Sequence, residues 1–263
     1  ITSMSQTPLE RNIIVRHTII ESIHKTNYNP CKITLITGSP GTGKSTFLKD
    51  FVSRFPDSIF ASFFCQWDTY RKNSASRIIK NIAYQLQKNN DTFCIELYKQ
   101  LETTSVDAIC SMDTDELFDN IILLPLEKTS LTSRKYIIID ALDELDDAIK
   151  FMKLLEKSLC HLPNMLKIII SSRNTLNLCF NPKYYDAIEI NRKNSSTSIG
   201  SYLSLRLSND YASETIEELT QKCGDNFLYA KLICDDFSNG ISDISKLPSG
   251  LEYIYQSYFQ RAF

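Results

Sequence analysis

The eight residues Gly38-Ser39-Pro40-Gly41-Thr42-Gly43-Lys44-Ser45 constrain this chain more than any other stretch. They follow the apolar run Ile33-Thr34-Leu35-Ile36-Thr37 and lead into Thr46-Phe47-Leu48-Lys49, which reads as strand, glycine-rich turn and helix start. Without Cβ atoms at Gly38, Gly41 and Gly43, successive backbone N–H groups can converge on an anionic polyphosphate. The first turn of the following helix adds partial positive charge at the same place. In such a turn Gly38 through Thr46 line the anion, Lys44 reaches its β- and γ-phosphates, and the Ser45 hydroxyl completes a Mg²⁺ shell. Three of the chain's seven glycines fall in this octet, so backbone freedom is concentrated where a phosphate cradle needs it. The expected ligand is a nucleoside triphosphate with Mg²⁺.

Tyr136-Ile137-Ile138-Ile139-Asp140 is a second apolar strand that ends on a carboxylate, with Ala141-Leu142-Asp143-Glu144 after it. Ligands of a parallel sheet lie beyond the C-terminal strand ends, where Asp140 is expected to hold Mg²⁺ opposite Ser45. Asp143 and Glu144 come within reach of an attacking water. An acidic strand end alone is most often a solvated cap for the next turn. A phosphate loop upstream reverses that reading, because such loops need a partner carboxylate. The strand Lys167–Ser172 ends at Arg173, whose guanidinium either reaches a γ-phosphate or stands as a surface arginine.

Around these motifs the chain alternates. Strands are expected at Lys32–Thr37, Ser58–Cys65, Lys135–Asp140, Lys167–Ser172 and Asp186–Ile190. Helices are expected at Lys44–Arg54, Ser74–Lys88, Thr92–Leu101, Thr114–Lys128 and Asp146–Leu159. That alternation implies an α/β fold, a parallel sheet with helices on both faces. The strands are continuous apolar runs, as sheets buried on both sides require. A helical period over residues 9–27 stops at Asn27-Tyr28-Asn29-Pro30. After the polar, linker-like Asn191–Thr197 only helical patterns follow: Ser198–Leu207, Ser213–Lys222, Asn226–Phe237 and, past Lys246-Leu247-Pro248-Ser249-Gly250, Leu251–Phe263. Ser213 and Gly224 read as the start and stop of the second of these. The expected organisation is an N-terminal helical flank over 1–30, a nucleotide core over 31–192 and a small all-helical lid domain over 193–263.

A net charge of −2 and a pI of about 6.0 argue against a broad nucleic-acid footprint. No apolar stretch has the length of a membrane span, and the first residues lack the basic-then-apolar pattern of a secretory leader. The eight cysteines are scattered, with no C-x-x-C pair, which points to reduced, buried thiols in a cytoplasmic protein. His17 and His24 share a helix face without an acidic or thiol cluster, so no metal site is expected there. Beginning on Ile1 and ending in the helical Tyr258–Phe263, the chain is expected to be a segment of a longer protein.

Together these motifs resemble the NACHT branch of the STAND signalling NTPases, close to the nephrocystin-3-like type of fungal and animal repeat proteins. Gly38–Ser45 stands as its Walker A motif, and Ile139-Asp140-Ala141-Leu142-Asp143-Glu144-Leu145 is similar to its extended, Walker B-type acidic motif. Ser58–Cys65, Gln66-Trp67-Asp68 and Ile82-Ala83-Tyr84-Gln85-Leu86 are similar to its second strand and following helix, and Lys167–Arg173 resembles its sensor strand. Gly224-Asp225-Asn226-Phe227-Leu228-Tyr229-Ala230 and Leu247–Tyr255 resemble the helical domain that packs on the nucleotide. The resemblance implies a cytoplasmic switch that binds ATP or ADP with Mg²⁺ and hydrolyses slowly, Glu144 positioning water with Asp143 assisting. It also implies protein partners and self-association through flanking domains, without nucleic acid or membrane insertion. Two departures stand out: Gly224–Phe227 lacks the proline of the Gly-x-Pro turn in many relatives, and Glu10-Arg11 only faintly echoes their Arg-Glu element. The main competing reading is a non-hydrolysing scaffold that keeps a nucleotide as a structural ligand; the intact Asp140 and Glu144 argue against it. A motor on DNA or RNA fits the charge balance poorly, and a small-molecule kinase lacks an acceptor-binding motif.

Overall fold

All five apolar runs become strands of one sheet: β1 (Ile33–Thr37), β2 (Ile59–Phe64), β3 (Lys135–Asp140), β4 (Leu166–Ser172) and β5 (Tyr185–Glu189). Their order is β2-β3-β4-β1-β5, and the pairs β2–β3, β3–β4 and β4–β1 are parallel. The computed structural model describes residues 19–24, 31–65, 74–102, 104–173, 184–190, 192–207, 211–224 and 226–238. The helices are α1 (Lys44–Arg54), α2 (Ala75–Asn89), α3 (Asp91–Leu101), α4 (Val106–Ser111), α5 (Thr114–Phe118), α6 (Leu124–Glu127), α7 (Ala148–Ser158), α8 (Arg192–Leu207), α9 (Ser213–Cys223) and α10 (Phe227–Ser238).

Strand side chains alternate between the two faces of a sheet, so burial of every second residue on both sides demands two covering layers. On one face Ile137, Ile139, Ile168 and Ile170 join a core with Ile79 and Ile82 of α2 and Phe151 and Leu155 of α7. On the other, Tyr136 meets Phe51 of α1 edge to face, ring centroids 5.0 Å apart. Helices on both faces are thus present as expected. Strand β2 is an edge, and its outer backbone groups are met by amide side chains of α2. Gln85 brackets Ser62, accepting from its N–H (2.9 Å) and donating to its carbonyl (2.8 Å), and Asn89 donates to Phe60 O (2.9 Å). An edge satisfied in this way does not recruit a foreign strand.

The structure divides into two compact units, one holding residues 19–24 and Gly38–Phe47 with the described residues from Glu189 on, the other holding the described residues of Tyr28–Thr37 and Leu48–Ile188. In the first, α8, α9 and α10 share a core in which apolar residues recur every fourth position: Ile199, Leu203 and Leu207; Leu219 and Cys223; Tyr229, Ile233 and Phe237.

Local differences from the sequence reading have physical reasons. The stretch expected as one helix, Thr114–Lys128, is α5 and α6 joined by a π-turn at Asp119–Leu123. Pro125 has no N–H and its ring crowds the carbonyl four residues back, so the helix widens just ahead of it. Helix α4 was not expected; its cap is clear, Ser105 accepting from Ala108 N–H at 3.1 Å, but exposed Val106 breaks the apolar period. Helix α8 begins at Arg192, inside the stretch read as a linker, because the low helix propensity of Asn, Ser and Thr is a preference of only tenths of a kcal/mol per residue, up to about 0.7. Ser213 is the first helical residue of α9, the cap position being Ala212, while Gly224 ends that helix at φ 60° as expected. Of the described cysteines, Cys65, Cys223 and Cys234 are buried, but Cys110 and Cys160 are exposed, and all are free thiols. Residues 19–24 are helical, in line with the N-terminal period. The rest of that flank, with Glu10-Arg11 and His17, lies outside the described residues, as do Gln66-Trp67-Asp68, Cys179 and everything from residue 239, including Leu247–Tyr255 and Leu251–Phe263.

Candidate functional site

Register fixes what the sheet presents at its C-terminal edge. Ile36 and Thr37 of β1 lie level with Ser171 and Ser172 of β4, and Ile139 with Ile170. Asp140, Ser171, Ser172 and Thr37 therefore share one edge, and the chain leaves that edge from Thr37 directly into Gly38. In a sheet of this kind ligands bind at that end.

The glycine-rich turn is built around close approaches that only glycine permits. Gly41 sits at φ 80°, and a Cβ there would stand 2.3 Å from Asn226 Oδ1. A Cβ on Gly38 would meet the Ile190 carbonyl at 2.6 Å. Thr42 is fully buried and its hydroxyl donates to Ser39 O at 2.9 Å, which ties the turn across itself. Lys44 opens α1, and its ammonium donates to the Gly38 and Ser39 carbonyls at 2.8 and 2.9 Å. Ser39, Pro40, Ser45 and Thr46 are exposed, and Gly43, at φ 89°, is half-buried. Glycine at 38 and 41 thus lets the turn pass against the Ile190 carbonyl and the Asn226 side chain, while the Lys44 ammonium and the exposed Ser45 and Thr46 hydroxyls are a donor set that a phosphate group would take. Asn226 was not singled out by the sequence reading. It is buried, accepts from Tyr229 N–H at 3.1 Å to cap α10, and the next N–H, of Phe227, donates to Gly41 O at 2.7 Å. An Asn one residue ahead of an apolar helical run was the available signal.

The acidic turn belongs to the second unit. Asp140 closes β3, is buried, and accepts a short hydrogen bond from the Ser171 hydroxyl. The same Ser171 oxygen accepts from Ala141 N–H at 2.8 Å, so one hydroxyl orients the carboxylate and anchors the turn beyond it. Ser171 is the second residue sequence reading missed; a Ser-Ser pair closing an all-isoleucine strand was its signal. Ala141 then adopts φ 54°, ψ 51°, the left-handed region, and starts a single 3₁₀ turn over Leu142–Glu144, Glu144 N–H donating to Ala141 O at 2.9 Å. That reversal projects Asp143 and Glu144 together. Arg173, just past β4, meets both: its Nε lies 2.9 Å from Asp143 Oδ2 and its Nη2 lies 3.4 Å from Glu144 Oε1. Burial pushes the Glu144 carboxyl above the ordinary glutamate range; Arg173 opposes this, and Asp143 and Asp140 add to it. The Cys65 thiol beside this cluster is pushed up to about 12, first by burial and then by Glu144, Asp140 and Asp143. A neutral thiol there adds no further charge.

Left-handed geometry at a residue with a Cβ costs about 1–3 kcal/mol. Ala141→Gly is therefore expected to leave the thermal midpoint unchanged or higher, glycine's chain entropy offsetting part of the relief. Ala141→Val is expected to lower stability by about 1–3 kcal/mol, read by thermal or urea unfolding. Equal midpoints for the glycine and valine variants would contradict the conformation.

Strand, glycine turn and helix on a parallel sheet, with one strand, β4, between β1 and the strand that ends on Asp140, define a P-loop NTPase fold. Residues 12–173, more than half of the chain, match the nephrocystin 3 N-terminal family, and the chain belongs to that family. It is also 22% identical over 251 residues to the vegetative incompatibility protein HET-E-1 of Podospora anserina, across 85% of this chain and 18% of the fungal one. The chain thus spans less than a fifth of that relative's length. Among solved structures it is similar to Cdc6p from Pyrobaculum aerophilum, with a TM-score of 0.52, 16% identity, and 90% of this chain and 63% of that one covered. A Walker-type ATPase of Pyrococcus abyssi gives a TM-score of 0.52 and 18% identity, over 86% of this chain and 67% of that one. These likenesses extend the fold to most of the chain. Among the described residues no helix is long and apolar enough to cross a membrane.

Proposed function

We propose that this chain is the ATP-binding, slowly hydrolysing switch module of a larger, cytoplasmic, NACHT-type signalling protein. The observation that carries the reading is the sheet edge, where β1 hands over to a glycine cradle and β3 ends on buried Asp140.

In this reading the amides of Gly38 to Thr46 hold the α- and β-phosphates, and Lys44 moves from its own loop carbonyls onto the phosphate oxygens. A charge-assisted hydrogen bond of that kind contributes about 1.5–3 kcal/mol. Ser45 and Asp140 are the residues that would hold Mg²⁺, with phosphate oxygens and water as its other ligands. Among the described residues no group of three His, Cys, Asp or Glu could hold a metal. When bound, the ion neutralises charge on the β- and γ-oxygens. Glu144, on its rigid 3₁₀ turn, orients and deprotonates the attacking water. Arg173 contacts the γ-phosphate, so its loss on hydrolysis releases the arginine and lets the flanking domains rearrange. Protein partners and self-association through those domains belong to the same reading.

The test uses the 263-residue chain. Mass spectrometry of the nucleotide released on denaturation is expected to find ADP or ATP. Phosphate release from added ATP is expected to be slow, Mg²⁺-dependent and stopped by a chelator. A chain that neither carries nor binds adenine nucleotide would overturn the reading. Firmly held ADP without any phosphate release would leave the non-hydrolysing scaffold instead.

A further inference from the structure

We propose that Asp143 acts through Arg173, as its positioning residue, and does not itself handle the attacking water. The inference rests on reading Arg173 as the γ-phosphate contact.

Asp143 holds the arginine at two points. One carboxylate oxygen accepts from the Arg173 backbone N–H at 3.0 Å, and the other faces the guanidinium Nε at 2.9 Å. Both oxygens are therefore committed to one residue, and the Asp143 side chain is only 9% exposed. Its backbone is equally fixed, at the centre of the 3₁₀ turn that Ala141 starts and Ser171 anchors. Glu144 differs. Its contact to the same guanidinium is longer, 3.4 Å, and made to the terminal Nη2.

A guanidinium has donors at both ends of a rigid plane. Pinned at Nε and at its own backbone, Arg173 can swing only its Nη end. That end now rests on Glu144, and the same end is the one an anion would take. The pin at Asp143 survives the exchange, because it uses different nitrogens. Asp143 thus converts a flexible, exposed side chain into a pointer with a short arc. The two acids after Asp140 have separate tasks: one aims the cation, the other gives up its contact with Nη2 when the cation moves.

The test compares the parent chain with Asp143→Asn, Arg173→Ala, the double variant and Asp143→Glu. Affinities for ADP and for a β,γ-imido ATP analogue are measured by calorimetry with Mg²⁺. An amide at 143 keeps one acceptor but turns N–H donors toward Nε, which repels the arginine. The parent is expected to prefer the triphosphate. Asp143→Asn and Arg173→Ala should each reduce that preference by about tenfold or more, as loss of a charge-assisted hydrogen bond does. The double variant should be no worse than either single change, Asp143→Glu should recover part of the loss, and ADP affinity should hold throughout. A merely structural Asp143 would instead weaken ADP and the analogue alike, which would overturn the proposal. It would also be overturned if Asp143→Asn kept the preference while Arg173→Ala lost it, leaving the γ-phosphate reading intact. Should Arg173→Ala itself keep the preference, that reading fails and the proposal with it.

Discussion

Lys44→Ala is expected to lose ATP by at least ten- to a hundredfold in dissociation constant. The side chain contributes the only lysine ammonium of the glycine octet, and no other octet residue is cationic. One charge-assisted hydrogen bond is worth about 1.5–3 kcal/mol, and each 1.4 kcal/mol is a factor of ten in affinity. Its present partners make the case stronger. Lys44 braces the Gly38 and Ser39 carbonyls, so alanine removes both the charge and a cross-tie that keeps the turn closed. Calorimetry with ATP and Mg²⁺ measures the effect, and thermal unfolding without nucleotide separates the loss of the tie from the loss of the charge. Binding as tight as the parent's would mean that the octet is not the phosphate site.

Glu144→Gln is expected to behave oppositely, keeping ATP while phosphate release falls by about 10²–10⁴-fold. Glutamine matches the shape of the acid and can still meet water, but it cannot take a proton. The pH dependence carries the sign. Burial, with Asp143 and Asp140, holds the Glu144 carboxyl above its ordinary range, against the pull of Arg173. A base works ionised, so turnover falls as pH drops through that raised value, at higher pH than an ordinary glutamate near ~4.3 would give. Cys65, pushed up to about 12, stays protonated and leaves the acid limb to the carboxylate. A rate–pH profile of the parent and the variant at saturating ATP decides the matter. If the acid limb persists unchanged in the variant's residual rate, the base lies elsewhere.

Much of the architecture was legible because it rests on strong, local signals. Ile137-Ile138-Ile139 and Ile168-Ile169-Ile170 are unbroken apolar runs, and burial on both faces is what such runs encode. The glycine octet carries its own strand and helix on either side. The elements that escaped notice are those whose local pattern is weak or broken. The N-terminal turns of α8 are polar and resemble a linker until their helical backbone is seen. The π-turn at Asp119–Leu123 comes from a proline just downstream of it. In the candidate site the acids announce themselves by following a strand, but Ser171 acts across the sheet, from β4 onto the end of β3. Asn226 meets Gly41 from the far end of the sequence. Neither partnership has a spacing that could be read along the chain.

The hydrogen bond from Phe227 to the Gly41 carbonyl has a bearing on how such a signature can be moved or inherited. A peptide plane at the heart of the octet takes its orientation from a residue beyond Glu189, and the atom that forbids a methyl group at 41 comes from the same stretch. The octet is therefore no portable cassette. Transplanted with its own strand and helix but without the C-terminal bundle, it would keep its letters and lose the brace that shapes it.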